Sequence, residues 1–230
     1  MTGLLRADLA NLRRDPMLLA SGLAPLLVAA ILALGFAPLA DAVAGVVDLE
    51  PHRSVIVGGA LLLTPLLVGY VVGFLLVEER EERILEAVAV TPRGTDGFLV
   101  HRLALPAVGG AAASVVVAAI VASIDVGGLL TVAILSAAMA VLVTLTMIAV
   151  ARDRVQALAV SKLTGILLVG AVAYQFVGGG WRVLLGVLPG TWVVEAVVAD
   201  SPWMALGLGL GTHLLFGLLL WRRTRRLLYG

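Results

Sequence analysis

Six long apolar stretches constrain this chain more than any other feature of its sequence. Met17 to Ala40, Ser54 to Val77, Leu103 to Ile124, Gly128 to Val150, Ala157 to Val177 and Trp203 to Trp221 each come close to or exceed the roughly 20 residues that a helix needs to cross a hydrocarbon layer about 30 Å thick. With 61% of its 230 residues hydrophobic and 13% charged, the chain has too little polar surface to cover a soluble core of this size. The spans predict an all-α fold: a polytopic membrane protein of six transmembrane helices, forming one domain over 1–230. The first span is read as retained, because it starts only at Met17 and runs to Phe36-Ala37-Pro38-Leu39-Ala40 before an acidic loop, unlike a cleaved leader.

An even number of spans puts both termini on one side, and the arginines say which side. Arg6, Arg13 and Arg14 precede the first span. Arg80, Arg83, Arg93 and Arg102 follow the second, Arg152, Arg154 and Lys162 follow the fourth, and Arg222, Arg223, Arg225 and Arg226 end the chain. Only Arg53 and Arg182 of the sixteen basic residues fall on the other side. Basic loops stay cytoplasmic, so both termini are expected in the cytoplasm. The net charge of +1 gives no reason to expect a nucleic-acid partner. Near-exclusive use of arginine over lysine in an Ala, Val, Leu and Gly background suits a GC-rich prokaryotic genome, hence a prokaryotic cell membrane.

Two segments are too short to cross. Residues 4–16 place Leu5, Leu9 and Leu12 on one helical face, with Arg6, Arg13 and Arg14 elsewhere, and end at Asp15-Pro16. They predict an amphipathic helix in the cytoplasmic interface, against the alternative of a solvated terminus. Residues 178–202 hold two apolar pieces, Trp181 to Leu188 and Thr191 to Ala199, divided by Pro189-Gly190. Pieces of this length suit a re-entrant extracellular segment, and Trp192 and Trp203 suit the headgroup layer.

Catalytic and ion-coupling groups are scarce. No span carries Asp or Glu near its centre, so the usual carriers of proton and ion pathways are missing. His213, beside Thr212, is the only ionisable residue well inside a span and is expected to hydrogen-bond a neighbouring helix. Lys162 is close enough to a span end to snorkel. The cysteine-free chain and three scattered histidines, His52, His101 and His213, suggest no metal or thiol site, and no catalytic residues or bound cofactor are expected. No G-x-x-x-x-G-K-[ST] loop occurs, so active transport would need a nucleotide site on a partner. Gly69 with Gly73, and Gly207 with Gly211, have the small-xxx-small spacing of close helix contacts, with packing inside the bundle as the first expectation.

The connection after the second span, E-E-R-E-E-R-I-L-E-A-V-A-V-T-P from Glu78 to Pro92, is the least ordinary stretch. As a helix it stacks Glu78, Glu82 and Glu86 at i,i+4, where each like-charge pair costs about 0.2 to 0.5 kcal/mol; Glu79 and Arg83 form a favourable pair. This face has two readings: a docking surface for a basic protein, or a solvated juxtamembrane helix. Four features together resemble the permease subunits of ABC type-2 transporters: Arg13-Arg14-Asp15-Pro16; the Glu78 to Pro92 run, similar to the family's E-R-E-x-G-T-L-E-x-L-x-V-T-P; Ala151-Arg152-Asp153-Arg154-Val155-Gln156-Ala157; and Leu188-Pro189-Gly190-Thr191-Trp192. Arg83-Ile84 stands where that family usually has Gly-Thr. The fifth-span region and the size look most like the permeases of drug, notably fluoroquinolone, export.

The resemblance implies a membrane subunit of an ATP-binding-cassette exporter that moves a hydrophobic or amphipathic substrate, drug or lipid, outward. It implies that 78–92 is the coupling segment that meets the ATPase, through Glu78, Glu79, Glu82, Arg83, Glu86, Thr91 and Pro92. It also implies that 4–16 is a connecting helix and that 178–202, with Pro189, Gly190 and Trp192, is re-entrant. The implied partners are an ATPase subunit that holds ATP and Mg, a second permease copy or paralogue, and membrane lipid. The competing readings are a membrane scaffold or an intramembrane enzyme. The latter could draw only on His213 and hydroxyls such as Ser136 and Thr144.

Overall fold

A computed structural model describes the backbone of residues 16–82 and 94–229, and side chains within 23–82 and 97–226. The expected interfacial helix at 4–16 and the coupling residues Arg83, Glu86, Thr91 and Pro92 lie outside the described residues. All regular structure among those residues is helical. The helices are α1 (Pro16–Val43), α2 (Arg53–Glu81, led in by a 3-10 turn at Glu50–His52), α3 (Gly94–Val121), α4 (Val126–Val150), α5 (Arg154–Ala173), α6 (Gly179–Gly186), α7 (Pro189–Val198) and α8 (Pro202–Tyr229). α1 to α5 and α8 are each long and apolar enough to cross a membrane. The protein is a multi-pass helical membrane protein.

The helices outrun the apolar stretches because a polar turn can continue a helix beyond the lipid. α2 has 29 residues and α8 has 28, or about 42 to 44 Å at 1.5 Å per residue, well over a hydrocarbon core of about 30 Å. α2 therefore carries Glu78 to Glu81 as a rigid extension, and α8 carries its arginines the same way. α3 likewise starts at Gly94 rather than Leu103. α5 stops earlier than Val177, with Tyr174 as its C-cap. Sharp starts are made by side chains: Asp125 Oδ1 accepts from Gly128 N at 2.7 Å and Asp153 Oδ1 from Gln156 N at 2.7 Å. These N-caps satisfy donors that a helix cannot satisfy internally.

α4 and α2 form the centre, with 67% and 56% of their spans buried, whereas α8 on the periphery is 17% buried. Leu61, Leu62, Leu66, Leu135, Met139 and Val143 are fully or almost fully enclosed between these two helices and their neighbours. Glycine permits the close approach. A Cβ on Gly69 would sit 2.7 Å from the Ala140 carbonyl oxygen, and one on Gly73 2.5 Å from Met147 Sδ. Thr144 Oγ1 donates to Gly69 O at 3.0 Å across the same contact. In lipid, where burial of apolar area adds little between helices, such contacts hold a bundle together. Gly207 and Gly211 differ from expectation, since nothing described lies within 4 Å of a Cβ on either; it is Gly209 that faces Leu135 and Trp192.

α6 and α7 bend by 110° at their junction, and their contacts trace a dip into the bundle and back. Leu188 meets Gly170, the tip at Pro189-Gly190 reaches Leu62 and Leu167, and α7 climbs until Val194 packs on Gly58, near the start of α2. Pro189 opens α7 as its first residue, where the missing N–H costs nothing. Trp192 departs from the headgroup expectation. It is buried, its Nε1 donates to Gly186 O at 2.9 Å, and its ring lies 6.0 Å from that of Tyr174. The bend folds the indole back onto the bundle, while Trp203 stays exposed.

Candidate functional site

The last turn of α2 is the junction of the molecule. Glu79 forms a mostly buried ion pair with Arg102 of α3, the side chains being 13% and 11% exposed, and the Arg102 guanidinium also lies 5.5 Å from the Phe98 ring centroid. The Arg80 guanidinium donates to Ile148 O at 3.0 Å and to Ala151 O, two carbonyls at the C-terminal end of α4. Arg223 of α8 adds a third such contact, Nε to Ala149 O at 3.0 Å. Cations at that end satisfy carbonyls left open by the helix and oppose its dipole. Arg154, the first residue of α5, pairs with Glu78 and lies 3.5 Å from Glu81, whose Oε1 also accepts from Arg154 N at 3.2 Å. One helical turn thus ties together α3, α4 and α5, with α8 joined through α4.

This geometry corrects one expectation about the acidic run. Glu78 and Glu79 have partners within the chain, because the helix ends at Glu81 and its last turn still faces the neighbouring helices. Glu82, the C-cap of α2, is exposed. The sequence alone places Glu78 on an acidic face and pairs Glu79 with Arg83; the arginines that meet Glu78 and Glu79 are 76 and 23 positions away in sequence and could not be assigned from spacing.

At the other end of the bundle, α7 buries a carboxylate. Glu195 is 4% exposed; its Oε2 accepts from Gln175 Nε2 at 2.9 Å, and its Oε1 lies 3.8 Å from Arg182 Nη2. Arg182 also stacks over the Tyr174 ring at 4.7 Å. The residues after α5, the short α6 and the returning α7 are therefore joined by one polar clasp. Glu195 was not singled out from sequence, although a lone acid inside the apolar run Trp192 to Val198 was its visible signal. His213 also differs from expectation. Its Nδ1–H donates to Gly209 O of its own helix at 2.7 Å, and Nε2 has no partner among the described residues.

The profile of the family described as "Fluoroquinolones export permease protein Rv2686c-like" matches residues 8–221. The chain belongs to this family. Two relatives, the fluoroquinolones export permease proteins MT2760 and Rv2686c from two strains of Mycobacterium tuberculosis, are each 28% identical over 204 residues. The match spans 83% of this chain and 79% of theirs. No solved structure matches the chain. As a member of the export-permease family, the protein is a membrane transport component. Its family match runs through both the α2 junction and the Glu195 clasp. The ABC resemblance motif at Ala151 to Ala157 has a concrete meaning here: it is the capped start of α5 that delivers Arg154 to the acidic turn.

Proposed function

We propose that the protein is the membrane-spanning subunit of an exporter that moves amphipathic drugs of the fluoroquinolone type outward, energised by ATP bound with Mg on a separate ATPase subunit. The observation that carries this reading is the unbroken run of α2 from the bundle centre into the acidic turn. The chain immediately beyond that turn is the segment expected to meet the ATPase. A push on it tilts the end of α2, and the arginine contacts pass the displacement to α3, α4 and α5 together. Arg80, Arg102 and Arg154 act as rigid links in this scheme. Glu82, exposed at the end of α2, and Glu86, in the following segment, are the carboxylates that face the ATPase. The arginine-rich end lies in the cytoplasm of a prokaryotic cell, and the α6–α7 hairpin faces outward. Substrate crosses between two permease copies or paralogues, and the ATP chemistry is done by the partner.

Orientation is checked by single cysteines in this cysteine-free chain: positions 48 and 200 should react with an impermeant reagent on intact cells, and reaction at 225 would reverse the reading. Docking is checked by co-purification of the ATPase with charge-reversed variants. Glu82→Lys should weaken assembly, with a larger defect at low salt, where rim charges act most strongly, and should leave membrane insertion unchanged. Undiminished co-purification by a Glu82→Lys, Glu86→Lys double variant would remove the docking assignment.

A further inference from the structure

We propose that the end of α8 is a binding site for the phosphate headgroup of an anionic membrane lipid. Leu219, Arg222, Arg223 and Arg226 line an open cavity of about 540 Å³. At about 100° per residue these four positions fall within roughly 100° of the helix circumference, so three guanidinium groups share one face with a leucine one turn closer to the bundle centre. Arg222 and Arg226 are exposed and, among the described residues, pair with no carboxylate. Arg223 is held in place by its bond to Ala149 O.

The surface leading to the cavity is apolar. Leu214, Leu215, Leu218 and Leu219 are 63%, 54%, 57% and 55% exposed, forming a side of α8 that acyl chains would cover. The site therefore has an oily approach from the membrane and a cationic head where the helix emerges. That is the shape of a lipid phosphodiester with its tails. Guanidinium forks suit phosphate oxygens because they can donate in parallel pairs. A basic anchor that served topology alone would need no cavity and no arc of arginines, only positive charge near the span end. The inference does not depend on the transport reading.

The test uses the full chain in detergent, with phosphatidylglycerol, phosphatidylcholine and inorganic phosphate as probes, read by native mass spectrometry and by thermal shift. Phosphatidylglycerol should be retained and should raise the melting temperature, while the other two should do neither. Taking each interfacial arginine at the usual strength for basic residues on anionic lipid, the Arg222→Gln, Arg226→Gln double variant should bind phosphatidylglycerol about 30-fold more weakly. Arg152→Gln, which removes a charge at the same end but outside the cavity, should stay within about twofold. Should the double variant not insert, Arg226→Gln alone reads the same comparison, with a loss of about fivefold expected. Equal lipid binding by the glutamine variants overturns the proposal, as does an equal loss in Arg152→Gln. Stabilisation by inorganic phosphate matching that by the lipid also overturns it, in favour of a free-anion site.

Discussion

Replacing Arg102 by Met should destabilise the protein by about 3 to 5 kcal/mol, because it strands the Glu79 carboxylate in a nearly closed site. Glu79→Leu should do comparable harm by stranding the guanidinium. The pair together should recover most of the loss, since two apolar side chains of similar volume replace two charges that had to be stripped of water. Thermal unfolding of the four proteins of this cycle in one detergent gives the interaction energy directly. Under the coupling account the double variant is stable yet poorly active, because the link between the end of α2 and α3 has become slack. Single variants within about 1 kcal/mol of the parent would mean that the pair is solvated and ties nothing.

The second large effect is expected at Glu195. Glu195→Ala removes the acceptor of the Gln175 amide inside a closed site, and a hydrogen bond to a charged group is worth about 1.5 to 3 kcal/mol. The loss should appear as a lower melting temperature and as freer labelling of a cysteine placed at 185, a partly buried position on α6. Glu195→Gln retains an acceptor oxygen and should restore most of the stability. An alanine variant as stable as the parent, with unchanged labelling, would show that packing of Trp192 and Val194 alone holds the hairpin.

The spans and their number were legible from hydropathy, because lipid imposes one rule on every crossing segment: its backbone must be hydrogen-bonded internally. The short apolar pieces around Pro189-Gly190 were legible for the same reason, being too brief to cross. The hidden features were contacts between side chains distant in sequence. Glu78 looked like part of a repeating acidic face, yet its partner is Arg154, brought near by the antiparallel packing of α2 and α5. Trp192 matched the composition of a headgroup belt, but the 110° turn buried it. Gly69 and Gly207 share the same spacing to a second glycine, and only the arrangement of neighbours puts the first at a helix crossing and leaves the second open. Spacing shows which residues share a face of a helix; it does not show what that face meets.

The central claim is that a separate ATPase powers export through this chain. The direct measurement is fluoroquinolone uptake into inside-out vesicles or proteoliposomes holding the chain alone, the ATPase alone, or both. ATP-dependent uptake should occur only with both proteins, and should vanish when the P-loop lysine of the ATPase is replaced. Drug movement by the chain alone, driven by ATP or by an ion gradient, would contradict the account.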